Sequence, residues 1–226
     1  METEYPSIDQ FIDDQLSKWA ERRQLPAAPV ITLSMEPGSK GRFIAAELAK
    51  KLNYDLFNRQ IIKEIAQSAH MSTRVIESVE KERLSGIEDF ISSLVAEHYL
   101  HPDFYLEHLM KVIHTIAGHG HAVIVGRGAN FILPLETRFS VRTVAPLEVR
   151  IRNVAEFFGT SHHEARQRIM HRQARRTAFI RQAFHQDIAD PLNYDLIINT
   201  EKMPVASAVE SIIAAAKNPP VRKNSK

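Results

Sequence analysis

Residues 31–50, ITLSMEPGSKGRFIAAELAK, restrict the fold more than any other stretch. Val30 to Leu33 is a short β-branched apolar run of the kind that fills a strand buried on both faces. Gly38, Ser39 and Gly41 follow as a tight turn, and Ile44, Ala45, Leu48 and Leu52 then recur at helical spacing. A strand, a glycine turn and a helix start in this order aim free backbone N–H groups at one point, where an anion is stabilised. The standard phosphate-loop pattern G-x-x-x-x-G-K-[ST] is absent. Aligned on the helix, Met35 takes the first glycine position, Lys40-Gly41 reverses Gly-Lys, and Arg42 stands where a Ser or Thr would hold Mg²⁺. Two readings stay open for the cluster Gly38, Ser39, Lys40, Gly41 and Arg42. Either its amides hold phosphate while Lys40 or Arg42 neutralises charge, or it is a plain turn with solvated basic residues.

The rest of the chain repeats the alternation of strand and helix. Ser7 to Arg22 reads as an amphipathic helix, with Ile8, Phe11, Ile12, Leu16 and Trp19 on one face and Ser7/Gln10 at capping-box spacing. The prolines of residues 24–29 stop it. Tyr54 to Phe57 is a short strand candidate. From Gln60 to Ala117 the pattern is helical, with breaks expected near His70-Met71, Gly86 and His101-Pro102, and with Ser72 and Pro102 at helix starts. His121 to Val125 and Phe139 to Val144 are strands. Pro146 opens a helix stopped by Gly159, and Ser161 with Glu164 caps a long arginine-rich helix to about Phe184. Asp195 to Ile198 is a last strand, and Pro204 opens a last helix. Alternating elements predict an α/β fold with a parallel sheet covered on both faces. The expected units are an N-terminal helical arm (1–28), a main domain (29–217) and a disordered basic tail (218–226). Residues 59–118 form a helical insertion over the carboxyl ends of the strands, where ligands bind in such sheets.

Composition removes whole classes of function. The chain of 226 residues has no Cys, which excludes disulfides, thiolate metal sites and a Cys nucleophile, and fits a reducing cytoplasm. A net charge of +2 argues against a polycation built to coat nucleic acid. No apolar run approaches membrane-spanning length, and the start METEYPSIDQ has no basic, apolar leader pattern. His98 and His101, His119 and His121, and His162-His163 lack a third ligand at useful spacing, so no metal site is expected from histidine. No G-x-S-x-G elbow supports acyl transfer.

Two further features carry charge. Gly126-Arg127-Gly128 follows a strand directly, so Arg127 stands at the sheet's carboxyl edge, where its fork can grip a phosphate or simply face solvent. Arg166, Arg168, Arg172, Arg175, Arg176 and Arg181 share one helix, with Arg168, Arg172, Arg175 and Arg176 close to one face. Such a helix fits a lid closing on a phosphoryl group, an RNA-backbone surface, or a solvated face.

Three separated segments, ITLSMEPGSKGRFIAAELAKKL, HAVIVGRGANFIL with VRTVAPLEVRI, and YDLIINT, together resemble the cytidylate kinase-like family of P-loop nucleoside monophosphate kinases. The resemblance runs from about Val30 to Ala216, and the GRGAN segment is its most specific part. It implies a three-layer α/β/α fold with a five-stranded parallel sheet, a helical NMP-binding insertion and an Arg-rich lid over residues 160–190. It also implies ATP and Mg²⁺ as donor and cofactor and a small nucleotide, CMP above all, as acceptor. On that basis Gly38, Ser39, Lys40, Gly41 and Arg42 cradle ATP, with Asn199 and Thr200 near the donor base. Arg127 reaches the acceptor or transferred phosphate, and Arg172, Arg175 and Arg176 are lid residues. Where the family usually reads Ser-Arg-Glu-Tyr-Gly-Ser-Gly-Gly-Arg, this chain keeps Ser34, Glu36, Gly38, Ser39, Gly41 and Arg42 but has Met35 and Lys40. It also has Phe57-Asn58 for Tyr-Asp, and Gln173 for a lid Asp. Glu36 is the acidic group left near the loop, a candidate outer-shell Mg²⁺ partner. The expectation is therefore an ATP-dependent phosphotransferase. Its rivals are a nucleotide-binding regulator that has lost catalysis and, further off, an RNA-binding protein. The N-terminal helix is either a core cap or a homodimer contact.

Overall fold

The apolar run at Val30 becomes the middle strand of a sheet because parallel neighbours cover its backbone on both edges. In the computed structural model, which describes residues 7–22, 28–79, 81–97 and 103–217 without the side chains of 81, 82 and 97, β1 (Val30–Met35) pairs Ile31 with Val123 and with Phe139. The elements before and after it are α1 (Ile8–Glu21), α2 (Gly41–Leu52), β2 (Asp55–Phe57), α3 (Arg59–Gln67), α4 (Ala69–Ile76), α5 (Lys81–Glu97) and α6 (Phe104–His119). Then come β3 (Ala122–Val125), α7 (Ala129–Ile132), β4 (Arg138–Val144), α8 (Leu147–Phe158), α9 (His162–Phe184), β5 (Leu196–Asn199) and α10 (Val205–Lys217). The five strands are all parallel in the order β2-β3-β1-β4-β5.

Helices lie on both faces of this sheet, which makes the three-layer α/β/α arrangement expected of the sequence. On one face α2 and α10 bury Ile44, Leu48, Val209 and Ile212 against Ile31, Leu33 and Val141. On the other, the helices α3 to α6 build a larger core with Val30, Phe57 and Ile124. Fully burying an aliphatic side chain of this kind stabilises by roughly 1.5–3 kcal/mol. Helix α1 joins that second core: Ile12 and Trp19 are buried, and Trp19 stacks on His119 at 4.0 Å. Asp55, at the start of β2, accepts from Gln15 Nε2 at 2.8 Å and from Arg22 Nη1 at 2.7 Å. The apolar face of α1 is thus consumed within its own chain as a core cap.

The helical insertion breaks elsewhere than its glycine and serine suggest. Ser68, not His70-Met71, ends α3 and caps α4 through its hydroxyl, which accepts from Met71 N. Ser72 is an interior residue of α4 whose buried hydroxyl donates to Ala69 O and pairs with His108 Nδ1 at 2.7 Å. Gly86 lies inside α5 without breaking it, because no neighbour crowds it and a single interior glycine costs only about 1 kcal/mol. Helix α6 starts at Asp103, whose carboxylate accepts from Leu106 N at 2.8 Å. The break expected at His101-Pro102, His98, most of the connector after α1 and the basic tail lie outside the described residues. No helix among the described residues is long and apolar enough to cross a membrane.

Candidate active site

The turn after β1 is held from beneath by β4. Glu36 N donates to Thr143 O, and the buried Ser39 hydroxyl donates to Glu36 O at 2.9 Å beside Thr143 Oγ1 at 2.8 Å. Gly41 fits because it has no side chain: a Cβ there would stand 2.6 Å from Thr143 Oγ1 and 2.7 Å from Met35 Cβ. That contact accounts for the reversed Lys40-Gly41 order, since a lysine at the usual position would collide with β1 and β4. Lys40 instead takes the left-handed conformation (φ 56°) as the residue before α2 and is exposed at the rim. The N–H groups of Gly41 and Arg42 precede the first bonds of α2, which Phe43 N and Ile44 N make to Lys40 O at 3.0 and 3.3 Å. Arg42 lies flat on Phe157, 3.3 Å from its ring centroid, and its pKa is lowered by burial and by Arg172.

Two departures from the family pattern turn out to be structural positions. Asn58 Oδ1 caps α3, accepting from Gln60 N at 2.8 Å and Ile61 N at 3.1 Å, a job that an amide does as well as a carboxylate. Gln173 Oε1 accepts from Arg150 Nη1 at 2.9 Å. Glu36 is likewise occupied. Its Oε2 accepts from Ala145 N at 3.1 Å and lies 3.4 Å from Arg150 Nε, while Oε1 is 4.0 Å from Arg142 Nη2. It braces two buried arginines against the sheet edge and, among the described residues, has no second carboxylate beside it in the lining of the loop's cavity.

The turn borders one cavity, lined by residues 35–43 with Phe157, Arg172 and Arg176, and a second, of about 180 Å³, opens beside it behind Gly126-Arg127-Gly128. All three residues have positive φ (74°, 56° and 71°). Gly128 is obligatory, because a Cβ there would meet the Phe184 ring at 2.3 Å. This bend sends Arg127 into the cavity, with its Nε buried and unpartnered and its guanidinium carbon 5.9 Å from the Phe179 centroid. Arg59, Arg175 and Arg176 line the same space. Burial, then Arg127, Arg175 and Arg172, lower the pKa of Arg59. Burial and then Arg59, Arg172, Arg142 and Arg127 push Arg176 down to about 10. Burial raises the Tyr105 hydroxyl, opposed by the nearby Arg127 and Arg59. Among the described residues, none of Arg59, Arg127, Arg172, Arg175 and Arg176 is ion-paired to a carboxylate. Holding these cations together without a counter-charge costs the free protein stability, and such clusters belong to sites that receive an anion.

Met35 and Arg176 line both cavities. The Arg176 guanidinium donates to the carbonyl of Met35, where β1 ends, and so stands in the wall between them.

The structure therefore brings Gly38 to Arg42, Arg172 and Arg176 around the first cavity and Arg127, Arg175 and Arg176 around the second. It does not bring Asn199 and Thr200 into the lining of either. Asn199 Oδ1 accepts from Glu201 N, and the buried Thr200 hydroxyl donates to Val144 O at 3.2 Å. Arg168 stacks on Phe158 and Arg166 pairs with Glu148, so only part of the arginine helix faces the cavities. Sequence reasoning missed Arg59 and Asn130. Arg59 follows the residue capping the helix after β2, and Asn130 lies in the GRGAN segment, so strand-end position was the available signal. The loop and its cations suit the phosphates of ATP. The donor set does not suit a resident Mg²⁺: Glu36 is engaged, Arg42 replaces the hydroxyl residue, and no group of three or more His, Cys, Asp or Glu able to hold a metal occurs among the described residues.

Comparison with known proteins bears on the family and the fold. The model of the cytidylate kinase-like family matches residues 30–202. A cytidylate kinase of Methanopyrus kandleri is 28% identical over 200 residues, covering 84% of this chain and 93% of that protein. A cytidylate kinase of Saccharolobus islandicus is 24% identical over 185 residues, covering 81% and 88%. Among solved structures, an uncharacterized protein from Eubacterium ventriosum superposes with a TM-score of 0.64 at 20% identity, covering 84% of this chain and 99% of that one, which concerns the fold alone.

Proposed function

The chain belongs to the cytidylate kinase-like family, and we propose that it transfers the γ-phosphoryl group of ATP to a nucleoside monophosphate, with CMP the acceptor we favour. The observation that carries this reading is the wall shared by two adjoining cavities, one at the glycine turn before α2 and one behind Gly126-Arg127-Gly128, in which Arg176 stands. Donor triphosphate would occupy the first, on the amides of Gly38 to Arg42 with Lys40 at the rim and Asn199-Thr200 towards the base. The acceptor phosphate would occupy the second, gripped by Arg127 and Arg59. An oxygen of that phosphate attacks the γ-phosphorus, the bond to the bridging oxygen breaks, and ADP leaves. Such a reaction asks the protein for position and positive charge rather than for a covalent nucleophile. Arg172, Arg175 and Arg176 from α9 would supply the charge as the transferred group passes between the cavities. Magnesium would enter with the donor, carried on its phosphates.

A nucleotide-binding regulator without turnover is the second reading. It is favoured by Arg42, which stacks on Phe157, and by the lining of the loop's cavity, where Glu36 is the one carboxylate among the described residues. The arginines that line the cavities argue against an RNA surface, which needs them along an exposed stripe. The deciding experiment is ADP release from MgATP across a panel of nucleoside monophosphates, with Lys40→Ala and Arg127→Ala alongside. Turnover that depends on the acceptor and falls in both variants is expected. ATP binding without turnover on any acceptor would leave the regulator reading standing instead.

A further inference from the structure

The cavity behind Gly126-Arg127-Gly128 is not lined by cations alone. Phe131, Phe179, Ile180 and Ile188 give it apolar surface, and Ser34 and Asn130 are the uncharged polar side chains in its lining. Asn130 is 6% exposed, lines the cavity, and has a buried amide nitrogen with no hydrogen-bond partner. A buried donor left unpaired in the free protein is retained where something else pairs with it, and water or ligand are the two choices. Helix α7 fixes the position of Asn130: Phe131 N and Ile132 N both return to Gly128 O, and Gly128 is locked against Phe184. The carboxamide is therefore a pre-positioned reader rather than a mobile surface group.

Building on the acceptor site proposed above, we infer that Asn130 selects the acceptor by its base. Its amide N–H donates to a ring nitrogen or carbonyl oxygen of a planar heterocycle that packs along Phe131 and Phe179, while the arginines hold the phosphate. Apolar wall, aromatic faces and one directional donor are what a nucleobase needs, whereas a sugar phosphate alone would leave Asn130 unpaired and the phenylalanines wet.

The test is calorimetric titration of CMP and of ribose 5-phosphate, which has the phosphate but no base, into wild type, Asn130→Leu and Asn130→Ala. Leu keeps the volume and removes the donor, and Ala serves if Leu does not fold. The expected result is a tenfold or greater weakening of CMP with ribose 5-phosphate unchanged, so that the preference for the base-bearing ligand collapses. Equal weakening of both ligands would reduce Asn130 to a structural residue, and unchanged CMP affinity would remove it from the site; either overturns the inference. Assaying the same proteins for ADP release separates this from the kinase reading. CMP that binds through Asn130 but is never phosphorylated supports the inference and sinks the kinase. Wild type that binds neither ligand overturns both.

Discussion

Two groups of arginines come close enough for Arg142 of one to act on Arg176 of the other, and they are treated in opposite ways. Arg142 and Arg150 are buried around Glu36, and Arg150 also donates to Ala145 O at 2.9 Å and to Gln173. Arg59, Arg127, Arg172, Arg175 and Arg176 press on one another, and none has an ion-paired carboxylate among the described residues. The first group has its counter-charge built into the fold, so it serves as scaffold and gives the loop its shape. The second group awaits its counter-charge, and an incoming phosphate supplies it. Residue type is the same in both groups, and neither is set apart by its element: strand β4 and helix α8 supply the first, helices α3 and α9 and the turn after β3 the second. What separates them is one carboxylate.

The largest effect should come from removing a member of the unpaired group. Arg127→Ala and Arg176→Ala are each expected to lower kcat/KM for phosphoryl transfer by about 10²–10³-fold, or roughly 2.7–4 kcal/mol, the usual loss for one pre-oriented charge-stabilising donor. Stability of the free protein should hold within about 1 kcal/mol or rise, because the mutual repulsion is relieved. A variant that lost activity only in proportion to a fall in Tm would collapse the distinction between the two groups.

Arg150→Ala probes the paired group and should reverse the pattern. Breaking a buried pair strands Glu36, at a cost of about 3 kcal/mol, which for a chain of this size lowers Tm by roughly 6–12 °C. Denaturant and thermal unfolding measure it directly. Unchanged stability would show that Glu36 is adequately held by Ala145 N and Arg142.

Ligand binding sharpens the same contrast with a smaller signal. At a hundredfold excess over its Kd, ATP should stabilise the wild type by about 2.7 kcal/mol. At that same concentration Arg150→Ala should keep most of the increment from its lower baseline, and Arg176→Ala should lose most of it. Equal increments in both variants would mean that Arg176 does not meet the nucleotide.

How far this contrast could be read in advance depended on the kind of signal. β-Branched runs announce most of the strands and the alternation with helices makes the sheet parallel, but β2 holds no β-branched residue and the count of five comes from the family resemblance, while the glycines at 38, 41, 126 and 128 mark the bends that bound the cavities. Ser72 and Gly86 misled because packing, not propensity, decided them: Ser72 found His108, and Gly86 found open space. The sequence offers Glu36 as a candidate outer-shell Mg²⁺ partner, and nothing local says that Arg150, more than a hundred residues later, folds onto it. Arg59 and Asn130 escaped notice because neither belongs to a charged run, and each matters only for the cavity it faces.

His114 provides a last, small test of the principle behind the comparison. Like the arginines it is a basic side chain buried without an anion. Its Nε2 lies 3.1 Å from Ile132 O, so that nitrogen carries the proton of the neutral ring, and Phe90 packs at 4.8 Å. Burial pulls its pKa from 6.5 down to about 4, the Ile132 carbonyl opposing only in part. An imidazole can escape the cost of a buried charge by staying neutral; a guanidinium cannot. The unfolded chain binds the proton at 6.5 and the folded one at about 4, so between those values the unfolded state holds more protons. Stability is then fully present above pH 6.5 and is lost as pH falls, by about 1 kcal/mol between pH 7 and 5.5. His114→Gln keeps a donor for Ile132 O but does not titrate, and its unfolding free energy should be flatter by that amount over the same interval. Parallel pH profiles for the variant and the wild type would mean that some other group drives the acid loss, and that burial without an anion had not cost this histidine its charge.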